Sequence, residues 1–234
     1  SAADLNTAYS SSGISGLGNE YIYLTDRSLA VSVFNTLDIY TSGDIDASSI
    51  NSLSGSAADL NTAYSSSGIS GLGNEAITLT DRSLEVSVLN TLDLKTSVAI
   101  YAFSINSLSG STADLNTAYS SSGILGLGNE AISLIDTSLA VSVLNTLDTY
   151  TSSAVNASSI NTLSGSAADL STAYASSGIS GLDNEAVNVN IGTASTSQVN
   201  NLSAATSGVV TATISDGDMA TLSELNETGN AYSI

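Results

Sequence analysis

SAADLNTAYSSSGISGLGNE fills residues 1–20 and returns unchanged at 56–75. It returns at 111–130 with two substitutions, Thr112 and Leu125, and at 166–185 as SxADLxTAYxSSGISGLxNE. Tyr9, Tyr64, Tyr119 and Tyr174 close the same phrase, and their even spacing sets the period of the repeat. A repeat of this order predicts a solenoid, in which each unit buries its apolar face only by stacking on its neighbours. The organisation read from it is repeats at 1–55, 56–110 and 111–165, a partial fourth at 166–186, and shorter divergent coils at 187–234. Together they form one continuous array over 1–234.

Outward from the phrase, each unit splits into two β–α coils. YIYLT (21–25), AITLT (76–80) and AISLI (131–135) place Ile and Leu at every second position, the mark of a strand with one buried face. Asp26, Asp81 and Asp136 follow as expected helix N-caps, and Leu29, Val33 and Leu37 recur at i, i+4, i+8 as an expected inward helical face. Second strands are expected near 44–47, 99–103 and 154–157, and SSINSLSG reads as a short helical turn. SAADLNTAYSSSG is then a second helix, capped by Ser56 with Asp59 at the capping-box position and Leu60, Ala63 and Tyr64 inward. The tail holds two shorter strand–helix coils, 187–208 and 209–230, before a last strand, AYSI. The reading is an α/β right-handed β–α solenoid with leucine-rich-repeat-like coils, a parallel sheet and helices on one side of it. An all-β parallel solenoid is the alternative, because Val, Ile and Thr are common and LAVSV also alternates.

Composition removes most chemistry. The chain carries 22 acids against three bases (Arg27, Arg82, Lys95), a net charge of −19, which opposes nucleic acid and anionic membrane as partners. Cys and His are absent, so thiol chemistry, disulfides and the commonest general base are too. Pro is also absent, as suits a stack whose backbone N–H groups donate to ladders. No apolar run approaches the roughly 18 residues of a membrane span, so no membrane insertion is expected. GISGLG lacks a preceding strand and the GxGxxG spacing, and no Ser sits in a GxSxG elbow. An enzyme is not expected.

Phrases such as SAADLNTAYSSSGISGLGNE, VLNTLD, ASSINTLSG and TATISDGDMATLSELNETGNAYSI resemble the tandem strand-repeat units of very large bacterial surface proteins, best known from marine cyanobacteria. The resemblance covers essentially the whole chain and carries no assigned catalytic or binding residues. It implies an extracellular or cell-surface location and a structural role as filament, surface coat or stalk. The alternative is a cation-dependent adhesin segment, or a phage fibre that binds a glycan or cell surface.

Several residues remain as candidates for contact. Asp216-Gly217-Asp218 reads as a helix N-cap before MATLSEL rather than a metal fragment. Glu20, Glu75, Glu130 and Glu185 recur before a strand and read as solvated loop glutamates, with non-specific calcium the most that such a row would attract; no cofactor is expected. Asn35, Asn51, Asn90, Asn106, Asn145 and Asn161 suit either an asparagine ladder or a polar helix surface. The strands vary most between copies, and always at the alternate position. Tyr21, Tyr23, Asp44, Asp46, Tyr101 and Phe103 therefore form the candidate contact face, directed away from the core. Expected partners are other copies, head to tail or laterally; a glycan is the other ligand such a face would fit. The chain opens inside a helix and stops on a strand, so unfinished coils are expected at both ends, as in a filament subunit or a piece of a longer array.

Overall fold

The computed structural model describes residues 1–226 and 228–234; Glu227 of the last predicted coil lies outside the described residues. The chain divides into two compact units, Ser1–Asn106 with Thr117–Leu127, and Ser107–Asn116 with Gly128–Ile234. In chain order, the stretch up to Asn106 gives α1 (Ala2–Tyr9), β1 (Ile22–Tyr23), β2 (Ser28–Ala30), α2 (Val31–Tyr40), β3 (Ile45–Asp46), β4 (Ser52–Gly55), α3 (Ala57–Ser65), β5 (Ile69–Ser70), β6 (Ala76–Leu79), β7 (Ser83–Glu85), α4 (Val86–Asp93) and β8 (Ile100–Tyr101). The next part gives β9 (Ser107–Gly110), α5 (Thr112–Ser120), β10 (Ile124–Leu125), β11 (Ala131–Leu134), β12 (Ser138–Ala140), α6 (Val141–Asp148), β13 (Val155–Asn156) and β14 (Thr162–Ser166). The last gives α7 (Ala167–Ala175), β15 (Ile179–Ser180), β16 (Ala186–Ile191), α8 (Thr196–Ala205), β17 (Val210–Thr213), α9 (Met219–Leu222) and β18 (Ala231–Ser233). Strands alternate with helices and pair in parallel, so the fold is an α/β solenoid and the all-β alternative falls.

In the first unit two parallel ladders form, β1-β3-β5 and β2-β4-β6-β8-β10. In the second, β9-β11-β13-β15 and β12-β14-β16-β17-β18 do the same. Paired apolar residues follow one another along the first unit as Leu29↔Leu53, Leu53↔Ile77, Ile77↔Ile100 and Ile124↔Ile100. Helix starts, at Ala2, Val31, Ala57 and Val86, advance by a longer step than these partners do. Each ladder therefore slides away from the helices as it climbs. β2 leads directly into α2, whereas β6 is separated from α4 by a corner and by β7.

The core of the first unit is built of apolar side chains, nearly all aliphatic. Ile22, Ile45, Leu53, Ile77 and Ile100 come from strands, and Val31, Phe34, Leu37, Leu60, Ala63, Val86, Leu89 and Leu92 from helices; all are buried. Each fully buried Leu or Ile contributes roughly 1.5–3 kcal/mol. Leu60 and Ala63 face inward as expected, and Tyr64 is half-buried.

Two predicted features are corrected. Ser28–Ala30 is strand β2, not the first turn of a helix, and the helix starts at Val31 behind an extended Ala30 with no side-chain cap. The buried stripe is consequently Val31, Phe34 and Leu37 rather than Leu29, Val33 and Leu37. SLSG is likewise strand β4; only Ala47–Ile50 turns, closed by the Ile50 N–H on the Ala47 carbonyl at 2.9 Å. Both corrections share one cause. β2 and β4 pair with each other in register, Ser28↔Ser52 to Ala30↔Ser54, and those ladder bonds override helical periodicity.

Asp26 and its equivalents are caps, but of another helix. Asp26 Oδ2 accepts from the Ala2 N–H at 2.9 Å, Asp81 from Ala57 at 2.8 Å, Asp136 from Thr112 at 2.8 Å and Asp216 from Thr196 at 2.7 Å. Each satisfies the first orphan N–H of the helix in the preceding coil. Other ties repeat this logic. Asn6, Asn35, Asn145 and Asn200 each donate from one helix to a carbonyl in the coil that follows, at 2.8–3.0 Å. Ser66, Ser121 and Ser176 donate to Asp38, Asp93 and Asp148 at 2.6–2.8 Å. The asparagine ladder is thus real for helical Asn35 and Asn145. Asn51, Asn106 and Asn161 instead have exposed side chains and pair through backbone N–H groups.

Candidate contact surface

The inward alternates of the strands are buried, and the outward ones range from exposed to half-buried. Ile22, Leu24, Ile45, Ile77, Leu79 and Ile100 are buried. Tyr21, Tyr23, Phe103, Asn156, Asn188 and Thr211 are exposed, as are Asp44 and Thr78 to a greater or lesser degree, and Asp46 and Tyr101 are half-buried.

The six candidate residues form two clusters in separate ladders. On β1 and β3, Tyr23 stands in register with Asp46, and the Tyr21 hydroxyl donates to Asp46 Oδ2 at 3.3 Å. Asp46 Oδ1 also accepts the Ser48 N–H at 2.9 Å, closing a turn. That N–H, then the other hydrogen bonds, hold the Asp46 carboxyl below its usual range; partial desolvation and the Asp46 charge push the Tyr21 hydroxyl up. Beside β8, the Tyr101 and Phe103 rings stack with centroids 6.1 Å apart and planes inclined by 16°. Leu125, paired with Tyr101 across β8 and β10, adjoins them. A Cβ built on Gly126 would fall 2.5 Å from the Phe103 ring, so the ring lies directly on that glycine, whose φ is +96°. Sequence reasoning missed Leu125 as part of this face, although its departure from the serine of the other copies was visible.

The recurrent glutamates are not solvated loop residues. Glu75, Glu130 and Glu185 have no exposed surface. The Glu75 carboxylate accepts from the Tyr64 hydroxyl, from Gly73 N at 2.9 Å and from Asn74 N at 3.1 Å. Glu185 is held likewise by Tyr174, Asp183 N at 3.0 Å and Asn184 N at 3.2 Å. Each glutamate pins the loop after a helix back onto that helix, and its own carbonyl accepts the hydroxyl of Thr96 at 2.6 Å or Thr206 at 2.7 Å. Burial, then the neighbouring carboxylate, pushes the Tyr64 and Tyr174 hydroxyls far up. Glu20 is only half-buried, and the Gly18 N–H and Tyr9 hydroxyl hold its carboxyl below the usual range. A charged row open to cations does not form from these residues. Among the described residues no three acidic side chains converge as a metal cluster requires. Asp218 caps α9, accepting the Thr221 N–H at 2.9 Å.

A third feature lies beside β1, which among the described residues pairs with β3 alone. A cavity of about 280 Å³ opens there among Leu5, Ala8, Leu17, Ile22 and Tyr23. Leu5 and Ala8 are half-buried, whereas Leu60 and Ala63, the same residues of the same phrase one unit on, are fully buried. What seals the later copy is the preceding coil, α2 against α3 and β4 against β6.

Fold and surface together define an acidic parallel β–α repeat protein whose recurrent polar side chains serve its own coils. Comparison with family models, curated proteins and solved structures returns no match. No helix among the described residues is long and apolar enough to cross a membrane.

Proposed function

We propose that the chain is a structural repeat protein of the bacterial cell exterior, a filament, surface coat or stalk that works by stacking coils and has no catalytic role. The observation that carries this reading is the way one coil seals the next. Residues 56–75 are sealed by the coil before them, α2 against α3 and β4 against β6, with Asn35 donating to the Asp59 carbonyl and Ser66 to Asp38. A surface that the fold covers with one of its own coils has a ready-made occupant, a further coil of the same kind. Such head-to-tail stacking is heterologous and grows without closing. The extracellular placement is supported by the resemblance of the repeat phrases to bacterial surface proteins, and the acidity of the chain disfavours nucleic acid.

Electron microscopy of the purified chain tests this, with the expectation of filaments. Ile22 and Leu24 donate to the β3 side, to Asp44 and Asp46. The Tyr23 N–H therefore points to the unpaired edge. Tyr23→Pro blocks that edge without removing a donor from the β1–β3 pairing. Filaments should disappear in this variant; filaments unchanged by it, or none in the parent chain at any concentration, would refute stacking.

A further inference from the structure

The repeats act as an internal comparison, because one fold position is filled three times. At the outward positions of β3, β8 and β13 and the residue two further on, the first copy has Asp46 and Ser48, the third Asn156 and Ser158, and the second Tyr101 and Phe103. On the adjoining rung, β5 carries Ser70, β15 carries Ser180 and β10 carries Leu125. Three polar positions have thus become apolar together. Tyr101 and Phe103 belong to one copy of the repeat and Leu125 to the next, so only the fold makes them neighbours.

The change costs the fold something. Asp46 Oδ1 and Asn156 Oδ1 accept the N–H two residues on, from Ser48 at 2.9 Å and Ser158 at 3.0 Å. A tyrosine at this position cannot make that turn bond. The cluster gives up a local hydrogen bond and leaves Phe103 70 % and Leu125 41 % exposed side by side. Both later copies lack the two acids of the first, Ala99 and Tyr101 in the second and Ala154 and Asn156 in the third standing where Asp44 and Asp46 do, and only the second fills the place with aromatic surface.

We propose that Tyr101, Phe103 and Leu125 form the contact through which two copies of this chain pair side to side. The choice of a second copy rests on charge, and on the reading of the chain as self-associating. A molecule of net charge −19 repels its own kind, so a side-to-side contact between copies is favoured where acids are absent and apolar surface stands in their place. A stacked aromatic pair on a sheet face suits an isologous contact, in which each patch meets its own equivalent. Three side chains fall well short of the ~800 Å² per partner of a stable complex, so the pair is weak alone and gains strength when several chains are aligned.

Sedimentation velocity over a concentration series tests this on the whole chain carrying Tyr23→Pro, so that stacking at β1 does not contribute. The pairing should weaken at least about tenfold when Tyr101→Asp, Phe103→Ser and Leu125→Ser are introduced together. Those residues already occupy the equivalent places in other copies, so the variant should keep its circular-dichroism spectrum and melting point. The chain has no cysteine, which permits a second measurement. Thr78→Cys, in register with Tyr101, should form an intermolecular disulfide under mild oxidation faster than Ser133→Cys, its equivalent one unit on. Unchanged association in the triple variant, or equal cross-linking at the two positions, overturns the proposal. So does a Tyr23→Pro chain that stays monomeric throughout while the patch residues govern binding to neutral oligosaccharides, which would give the surface to a glycan. Loss of filaments in Tyr23→Pro with the pair retained separates stacking from pairing.

Discussion

At the scale of single residues, the pin between glutamate and tyrosine matters most. Glu75 is buried with three hydrogen-bond donors around one carboxylate, and Tyr64 is the only one of them that is a side chain. Tyr64→Phe should cost about 1–2 kcal/mol at neutral pH, because the carboxylate keeps its two backbone donors. The pH dependence has a fixed sign. The hydroxyl's folded value lies above its ordinary 10.0, so its contribution is complete below pH 10 and is lost as pH rises further. Urea melts from neutral pH to about pH 11 should show the parent chain losing more stability than Tyr64→Phe over that range. Parallel losses in the two would mean that Tyr64 does not carry the effect. None of this was legible in the sequence. A glutamate before a strand in a Gly-rich loop reads as solvated, and burial comes from a tyrosine on the preceding helix turning back towards it.

At the scale of elements, the polar residues of the repeat are fasteners between coils. Removing one by Asp81→Ala leaves the Ala57 N–H at the start of α3 without its acceptor, and thermal melting should report a loss of about 1 kcal/mol. Asp81→Asn, which keeps an acceptor oxygen, should recover most of it. Equal effects of the two would make the contact electrostatic in origin. This scale also shows where sequence reading succeeds. The strands at 22–23, 76–79 and 131–134 and the helices of the SAADLNTAY phrase were legible because their signals are local, alternation in one case and a Ser cap in the other. The strands at 28–30 and 52–55 were not, since their extended form depends on pairing with each other across a whole coil of chain. Asp26 announced a cap correctly and its helix wrongly, for the same reason. At the contact surface, alternation gave Tyr101 and Phe103, and nothing short of the ladder register could join Leu125 to them.

At the scale of the whole chain, charge dominates. Nineteen excess negative charges raise the energy of the compact state through self-repulsion, which salt relieves. Raising NaCl from about 0.01 to 0.15 M shortens the screening length from ~30 to ~8 Å and should raise the melting temperature. Calcium at matched ionic strength should do the same and no more. A calcium-specific rise, measured by calorimetry against magnesium and NaCl, would point to a site formed on assembly.

The unequal steps of strands and helices carry a mechanical consequence. In the first unit, β3 and β4 occur in one coil but in different ladders, as do β5 and β6; in the second, β13 with β14 and β15 with β16 repeat the arrangement. Within each unit a ladder ends on a coil where its neighbour is still in mid-run. This is the lap joint of a carpenter or the staggered course of a bricklayer. A crack that opens where one ladder stops meets unbroken hydrogen bonds in the next, and a load is handed sideways before it can part the coils. A stack whose strands and helices kept the same step would have no such overlap, and each coil boundary would be an equally ready plane of cleavage.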